Sequence, residues 1–204
     1  MHDRMFNPAE SHRLEDPERA RFLPPAEVVS ALELAPGMVI ADIGAGTGYF
    51  AVPIAQAILP GGRLFAVDVQ KEMLMRLDAR LRQVGASGNI SLVEGDAAGT
   101  TLPDTSCDRI LIANVWHELP DHAAALTEFA RILRPNGRLA ILDWRADVPA
   151  RSKSAPRTES DPPGPPAEHR ISAEEVARSL ETAGWRVLSQ RNVGQYSYLV
   201  IAIR

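Results

Sequence analysis

The chain of 204 residues is 45% apolar and 24% charged, an ordinary globular composition that sets aside wholesale disorder. Its 22 Lys and Arg against 26 Asp and Glu give a formal charge of −4, so no broad phosphate-binding surface and no nucleic-acid partner is expected. One cysteine, Cys107, excludes an intramolecular disulfide and a multi-thiolate metal site. The segment Met1–Arg13 lacks the apolar run of a signal peptide, and the apolar stretch Met38–Leu59 is broken by Asp42, glycines, Pro53 and Gln56. A cytoplasmic protein with no membrane span is the expectation.

Strand-type and helix-type segments alternate along the chain, the pattern of a parallel sheet with helical crossovers. Asp16–Leu34 reads as one or two helices interrupted by Pro24-Pro25. Val39–Ile43 is a buried strand, Tyr49–Leu59 a helix stopped by Pro60-Gly61-Gly62, and Arg63–Val69 a second strand. Lys71–Val84 places Met73, Leu74, Leu77, Leu81 and Val84 at helical spacing. Ile90–Glu94 and Arg109–Asn114 are the next strands, and Asp121–Leu133 is a helix closed by the turn Arg134-Pro135-Asn136-Gly137. Arg138–Trp144 is a fifth strand. From Arg145 to Arg170 there are 26 residues with six prolines and no apolar period, either a lid or a mobile linker. Ser172 to Glu175 then forms a capping box that opens a helix to Ala183. Trp185–Gln190 and Tyr196–Ile203 close the chain as a hairpin, which makes the last strand antiparallel to its neighbour.

The chemistry concentrates after the strands. Asp42-Ile-Gly44-Ala-Gly46-Thr-Gly48 lies between a strand and a helix, where glycines admit a ligand close to the backbone. A dinucleotide fingerprint G-x-G-x-x-G needs glycine at 49, and Tyr49 stands there. The acidic Asp42 suits a ligand with an ammonium group better than a pyrophosphate. Asp68, ending the second strand, either accepts both hydroxyls of a ribose or caps the next helix. Asp96, after the third strand, either accepts from an adenine amino group or forms an Asx-turn. All three carboxylates fall on one rim of the sheet.

These segments resemble the class I S-adenosylmethionine-dependent methyltransferases. Val39–Gly48 resembles their first motif, Phe65–Asp68 the acidic motif of the second strand, Glu94–Ala97 the adenine-side motif, and Leu133–Arg138 the turn before strand five. The resemblance implies an α/β fold: a Rossmann-like, seven-stranded, mostly parallel sheet with an antiparallel last strand and helices on both faces. It implies S-adenosyl-L-methionine as cofactor, S-adenosyl-L-homocysteine as product and no metal. Asp42, Gly44, Gly46 and Gly48 would then surround the methionine moiety, Asp68 the ribose, and Asp96 and Ala97 the adenine, with Ala45, Val69 and Asn114 as further cofactor-binding residues. Met73 would pack on the adenine or remain a core methionine. Asn114–His122, at the end of strand four, resembles the acceptor-side segment of small-molecule O-methyltransferases. His117 is the candidate base; its alternative is a ring bonded to the backbone.

By the same resemblance, residues 1–35 form a helical cap over the pocket of a methyltransferase domain spanning 36–204, and 145–170 is its lid or insert. Phe22, Trp116, His117, His169 and Arg170 are the expected substrate residues, although His169 and Arg170 equally suit capping of the next helix. The implied function is in-line methyl transfer to a small-molecule oxygen, sulfur, nitrogen or carbon nucleophile. The rival expectations are an NAD(P)-binding oxidoreductase or epimerase on a related sheet, and a non-catalytic binder of the same cofactor.

Overall fold

The computed structural model describes residues 5–86, 88–154, 158 and 161–204. The expectations for residues 1–4 and for 155–157 and 159–160 of the proline-rich segment lie outside the described residues. The sheet consists of β1 (Val39–Ile43), β2 (Arg63–Asp68), β3 (Ile90–Glu94), β4 (Cys107–Ala113), β5 (Leu133–Trp144), β6 (Arg186–Val193) and β7 (Ser197–Ile203). Their order is β3-β2-β1-β4-β5-β7-β6. Strands β1 to β5 pair in parallel, and β7 lies antiparallel between β5 and β6. The strand order reverses between β1 and β4, the place where open α/β sheets bind ligands beyond their carboxyl ends.

Helices α1 (Arg19–Phe22), α2 (Pro25–Ala31), α3 (Ala51–Ala57), α4 (Lys71–Val84), α5 (His122–Ile132) and α6 (Ala173–Thr182) cover the sheet. Successive strand residues point to opposite faces, so the apolar runs divide into two cores. Ala41, Ile110, Ile112 and Ile141 pack with Phe129 of α5 and Val176 and Leu180 of α6. On the other face, Ile40, Leu64, Ala66 and Leu111 pack with Val28 of α2, Ile54 of α3 and Leu77 and Leu81 of α4. Burying each of the larger side chains, Val, Leu, Ile or Phe, contributes roughly 1.5–3 kcal/mol. The strand ends, where the carboxylates sit, are therefore held by a stiff scaffold.

The sequence boundaries hold within a few residues, with two differences of substance. A 3-10 helix at Pro8–Arg13, capped by Asn7 accepting from the Ala9 N–H, precedes α1. The expected turn at Arg134–Gly137 is a bulge at the start of β5: Cys107 pairs with Leu133 and Arg109 with Arg138. Asn136 takes φ +64° there, which lets four residues loop out while the ladder continues. The capping box of α6 is present, with Ser172 accepting from the Glu175 N–H and Glu175 from the Ser172 N–H.

Candidate active site

A cavity of about 180 Å³ lies beyond the carboxyl ends of β1, β2, β3 and β4. Asp42, Gly44, Ala45, Gly46, Asp68, Val69, Met73, Asp96, Ala97 and Asn114 all line it. Gly48 does not: a Cβ there would overlap Leu77 Cδ1, so this glycine serves the close packing of the loop on α4. Gly46 has φ +54° and only Leu14 Cδ1, at 3.6 Å, near its Cβ direction, so backbone conformation rather than crowding selects glycine. Asp68 accepts the Gly46 N–H at 2.8 Å on one oxygen and the Gln70 N–H at 2.9 Å on the other. It braces the loop and opens α4 while facing the cavity. Asp96 accepts from the Ala98 N–H at 2.8 Å, an Asx-turn within the cavity wall. Met73 is both buried and part of that wall.

The electrostatics follow from burial. Asp42 is pushed up to about 7, first by desolvation and then by neighbouring Asp68, with Arg19 opposing. Burial also raises Asp68, against the two N–H donors that favour its charge. Arg19, which sequence reasoning did not single out, lies 4.1 Å over the Tyr49 ring and donates to the Leu14 carbonyl. Desolvation brings it down to about 10. Asn114 holds a left-handed φ of +59°, and both its amide atoms are buried without a hydrogen-bond partner. An orphaned amide on a strained backbone at a strand end points to a ligand.

A second cavity, about 720 Å³, adjoins the first and shares Met5, Phe6, Leu14, Arg19, Asn114 and Glu118 with it. Its other walls include His117, Phe22, Trp144, Arg151, Lys153 and His169. The His117 ring is bonded to a carboxylate, with Nδ1 2.8 Å from Asp143 Oδ1, while its backbone N–H donates to Asp143 Oδ2 at 2.9 Å. Glu118 accepts the Phe6 N–H at 3.2 Å and is pushed up to about 7, chiefly by burial. The Phe6 carbonyl accepts from Gln70 Nε2 at 2.9 Å, so the N-terminal segment is tied to both β2 and β4 ends.

Residues 41–141 match the family model described as "Methyltransferase domain". The ubiquinone/menaquinone biosynthesis C-methyltransferase UbiE of Pasteurella multocida is 30% identical over 112 residues, 55% of this chain and 42% of that protein. The chain thus spans less than half the length of that curated relative. A SAM-dependent methyltransferase from Aquifex aeolicus superimposes with a TM-score of 0.86 at 30% identity, covering 97% of this chain and 98% of the other. The chain belongs to the S-adenosylmethionine-dependent methyltransferases. The magnesium protoporphyrin IX methyltransferase ChlM from Synechocystis, solved with bound SAM, shares the fold at 19% identity and a TM-score of 0.63, over 95% of this chain and 80% of that one.

The cavity of this methyltransferase fits that cofactor on its own observations. A buried carboxylate at Asp42 suits an ammonium, an unpartnered Asn114 amide suits a polar methionine group, and Asp68 lines the cavity with oxygens that can each accept a further hydrogen bond. Membership of the methyltransferase family, with Tyr49 in place of the third fingerprint glycine, removes the oxidoreductase alternative. Two expected substrate residues are not in either cavity. Trp116 is fully buried in the core and stacks on His122 at 4.3 Å, because its large apolar ring gains more from the core than from the rim. Arg170 is buried and donates to the carbonyls of Arg145, Pro163 and Pro165, so it clasps the proline-rich segment instead of capping α6. His169 and Phe22 do reach the second cavity. Asp143 was missed, although its place at the end of β5, beside the end of β4, was a readable signal.

Proposed function

We propose that the protein transfers a methyl group from S-adenosylmethionine to a small-molecule acceptor by in-line displacement, with the cofactor in the first cavity and the acceptor in the second. The observation that carries this is the adjacency of the two cavities, which meet at Asn114 and Glu118. The second cavity lies within the roughly 300–1,000 Å³ of small-molecule sites. Residues 1–35 act as the cap and 145–170 as the lid. Supporting this, Phe6 and Leu14 line both cavities, and Pro163, Pro165 and His169 line the second.

The bound cofactor supplies an electrophilic methyl group on a good leaving group. The chain's task is then positioning: Asp42 and Asn114 hold the methionine end, Asp68 the ribose, Asp96 and Ala97 the adenine side. The acceptor is brought to about 3 Å from the methyl carbon with water excluded. His117 accepts the acceptor's proton where one must leave. The aromatic walls Phe22 and Trp144 favour a planar acceptor, which accords with the quinone-biosynthesis relatives. No helix among the described residues is long and apolar enough to cross a membrane, and we place the reaction in the cytoplasm, without nucleic acid.

Calorimetric titration is expected to give micromolar binding of S-adenosylhomocysteine and none of NAD(H). Incubation with methyl-labelled S-adenosylmethionine and a metabolite extract, read by mass spectrometry, is expected to give a labelled small molecule. Binding without any labelled product would favour a non-catalytic cofactor binder.

A further inference from the structure

Arg19 is a buried charge that forms no ion pair among the described residues. The residue is 8% exposed, donates one N–H to the Leu14 carbonyl at 3.2 Å and lies 4.1 Å over the Tyr49 ring. The Tyr49 hydroxyl donates to the Leu23 carbonyl at 2.6 Å, so the ring beneath the guanidinium is itself fixed. Asp42, pushed up to about 7, acts on Arg19 only from a distance. Burial brings the guanidinium down no further than about 10, so it is charged at neutral pH. A buried cation normally has an anion beside it. Arg19 lines both cavities instead, where a ligand can supply that anion.

The second cavity sets an aromatic surface next to this charge. Arg19 and Phe22 stand three positions apart on α1, on one face, with Cβ atoms about 5–6 Å apart. Phe22 lines the cavity beside Trp144, with ring centroids 6.5 Å apart, and is held edge-on by Tyr196 at 5.8 Å. The carboxylates of that wall are engaged elsewhere. Glu10 pairs with Arg13, Asp16 accepts the Glu18 N–H, Glu118 the Phe6 N–H and Asp161 the Thr158 N–H. A bound S-adenosylmethionine carries a net positive charge, so its sulfonium adds to the demand for an anion in the neighbouring cavity.

We propose that Arg19 determines acceptor specificity, and that the acceptor is a planar carboxylic acid whose carboxylate pairs with Arg19 while its ring lies against Phe22 and Trp144. The inference rests on the methyl-transfer reading above, in which Asp42 and Asn114 hold the methionine end and leave the Arg19 charge unspent. A guanidinium meets a carboxylate through two parallel N–H bonds, which fixes direction as well as distance. The pair aims the acceptor from the cap toward Asn114 and Glu118, where the two cavities meet. The carboxylate is the handle and not the methylated atom, because an oxygen held by a guanidinium is a weaker nucleophile.

The test titrates the full chain, saturated with S-adenosylhomocysteine, with benzoate and naphthoate and with benzamide and naphthamide, which keep the shape and lose the charge. The acids are expected to bind the wild type roughly 10–100-fold more tightly than the amides, the scale of a hydrogen-bonded charge pair. Arg19→Gln is expected to abolish that preference. Arg19→Lys should keep part of it, since an ammonium retains the charge without the fork. Equal binding of acid and amide by the wild type, or binding of neither, overturns the proposal even if both variants fail to fold. A preference that survives Arg19→Gln would give the anion to another cation of the wall and overturn the assignment of Arg19. S-adenosylhomocysteine and its decarboxylated analogue are then titrated separately, and Arg19→Gln is expected to affect both alike. A loss confined to S-adenosylhomocysteine would assign Arg19 to the cofactor's own carboxylate and overturn the acceptor role. Failure of S-adenosylhomocysteine to bind the wild type would instead sink the methyl-transfer reading.

Discussion

Asp42 is a carboxyl held up to about 7, with Arg19 as its counter-charge among the described residues. In the ligand-free protein the folded state binds the Asp42 proton more tightly than the unfolded chain does between about 4 and about 7. Stability therefore falls as pH rises through that window, and Glu118 acts in the same direction. A ligand ammonium reverses the preference, since it needs the carboxylate. Affinity for S-adenosylhomocysteine is thus expected to rise about tenfold from pH 6 to pH 8, the change in ionised fraction for a group near 7. Asp42→Asn should flatten that dependence, weaken binding, and raise the thermal midpoint of the free protein at pH 8. Calorimetry and thermal scans at both pH values check all three. Asp68→Ala should cost about 1.5–3 kcal/mol of cofactor affinity, the scale of hydrogen bonds to a charged group. Because Asp68 also accepts the Gly46 and Gln70 N–H groups, an analogue lacking the ribose hydroxyls should recover only part of that difference. These residues were legible because each sits at the carboxyl end of a recognisable apolar strand. Arg19 and Asp143 were not singled out, since their roles arise from contacts with Tyr49 and His117 that are 30 and 26 positions away.

At the scale of elements, the loop after β3 depends on α5. Glu128 accepts from the Thr100 N–H at 2.8 Å and from the Thr100 hydroxyl, and it pairs with Arg131 at 2.7 Å. Arg131 also bonds Asp104 and the Leu102 carbonyl, so one helix turn pins the loop that follows Asp96 and Ala97. Arg131 and Thr100 hold Glu128 down at about 2, well below its usual value. That stabilisation is present above about 4.5 and is lost as pH falls toward 2. Glu128→Gln is expected to destabilise the fold by about 1–3 kcal/mol at pH 7 and to flatten stability between pH 5 and 3, measured by urea unfolding across pH. No effect at pH 7 would mean that the loop is held by its own turn. Here the sequence showed α5 as a helix but not its tether, because a charged residue on a helix face carries no mark of what it will meet. The bulge at the start of β5 was hidden for a related reason: Pro135-Asn136-Gly137 reads as a chain reversal, and only the neighbouring strand shows that the ladder resumes with Arg138.

Across the whole molecule, the two cavities have different covers, so they can be uncoupled. The first is lined by Phe6, Leu14 and Arg19 of the N-terminal segment, while the described residues of the proline-rich segment border only the second. That segment is held from within: Arg170 donates to carbonyls at its start, Arg145, and near its end, Pro163 and Pro165. Gly164, at φ +97°, lies close against the Trp144 ring that forms the cavity wall. Arg170→Ala removes a buried guanidinium and leaves those carbonyls without their donor, which frees the segment while the sheet and both cores remain packed. Amide exchange is expected to quicken across 145–154 and 161–169, and to stay unchanged in β1, β2 and β4. Turnover of the acceptor should fall about tenfold or more, since a cover that no longer closes admits water and loosens the acceptor's alignment. Affinity for S-adenosylhomocysteine should change less than about twofold, because neither Arg170 nor the Trp144 ring it lies over lines the first cavity and the strand-end carboxylates keep their partners. Unchanged turnover despite faster exchange would reduce the segment to a passive connection and leave the N-terminal residues as the sole cover.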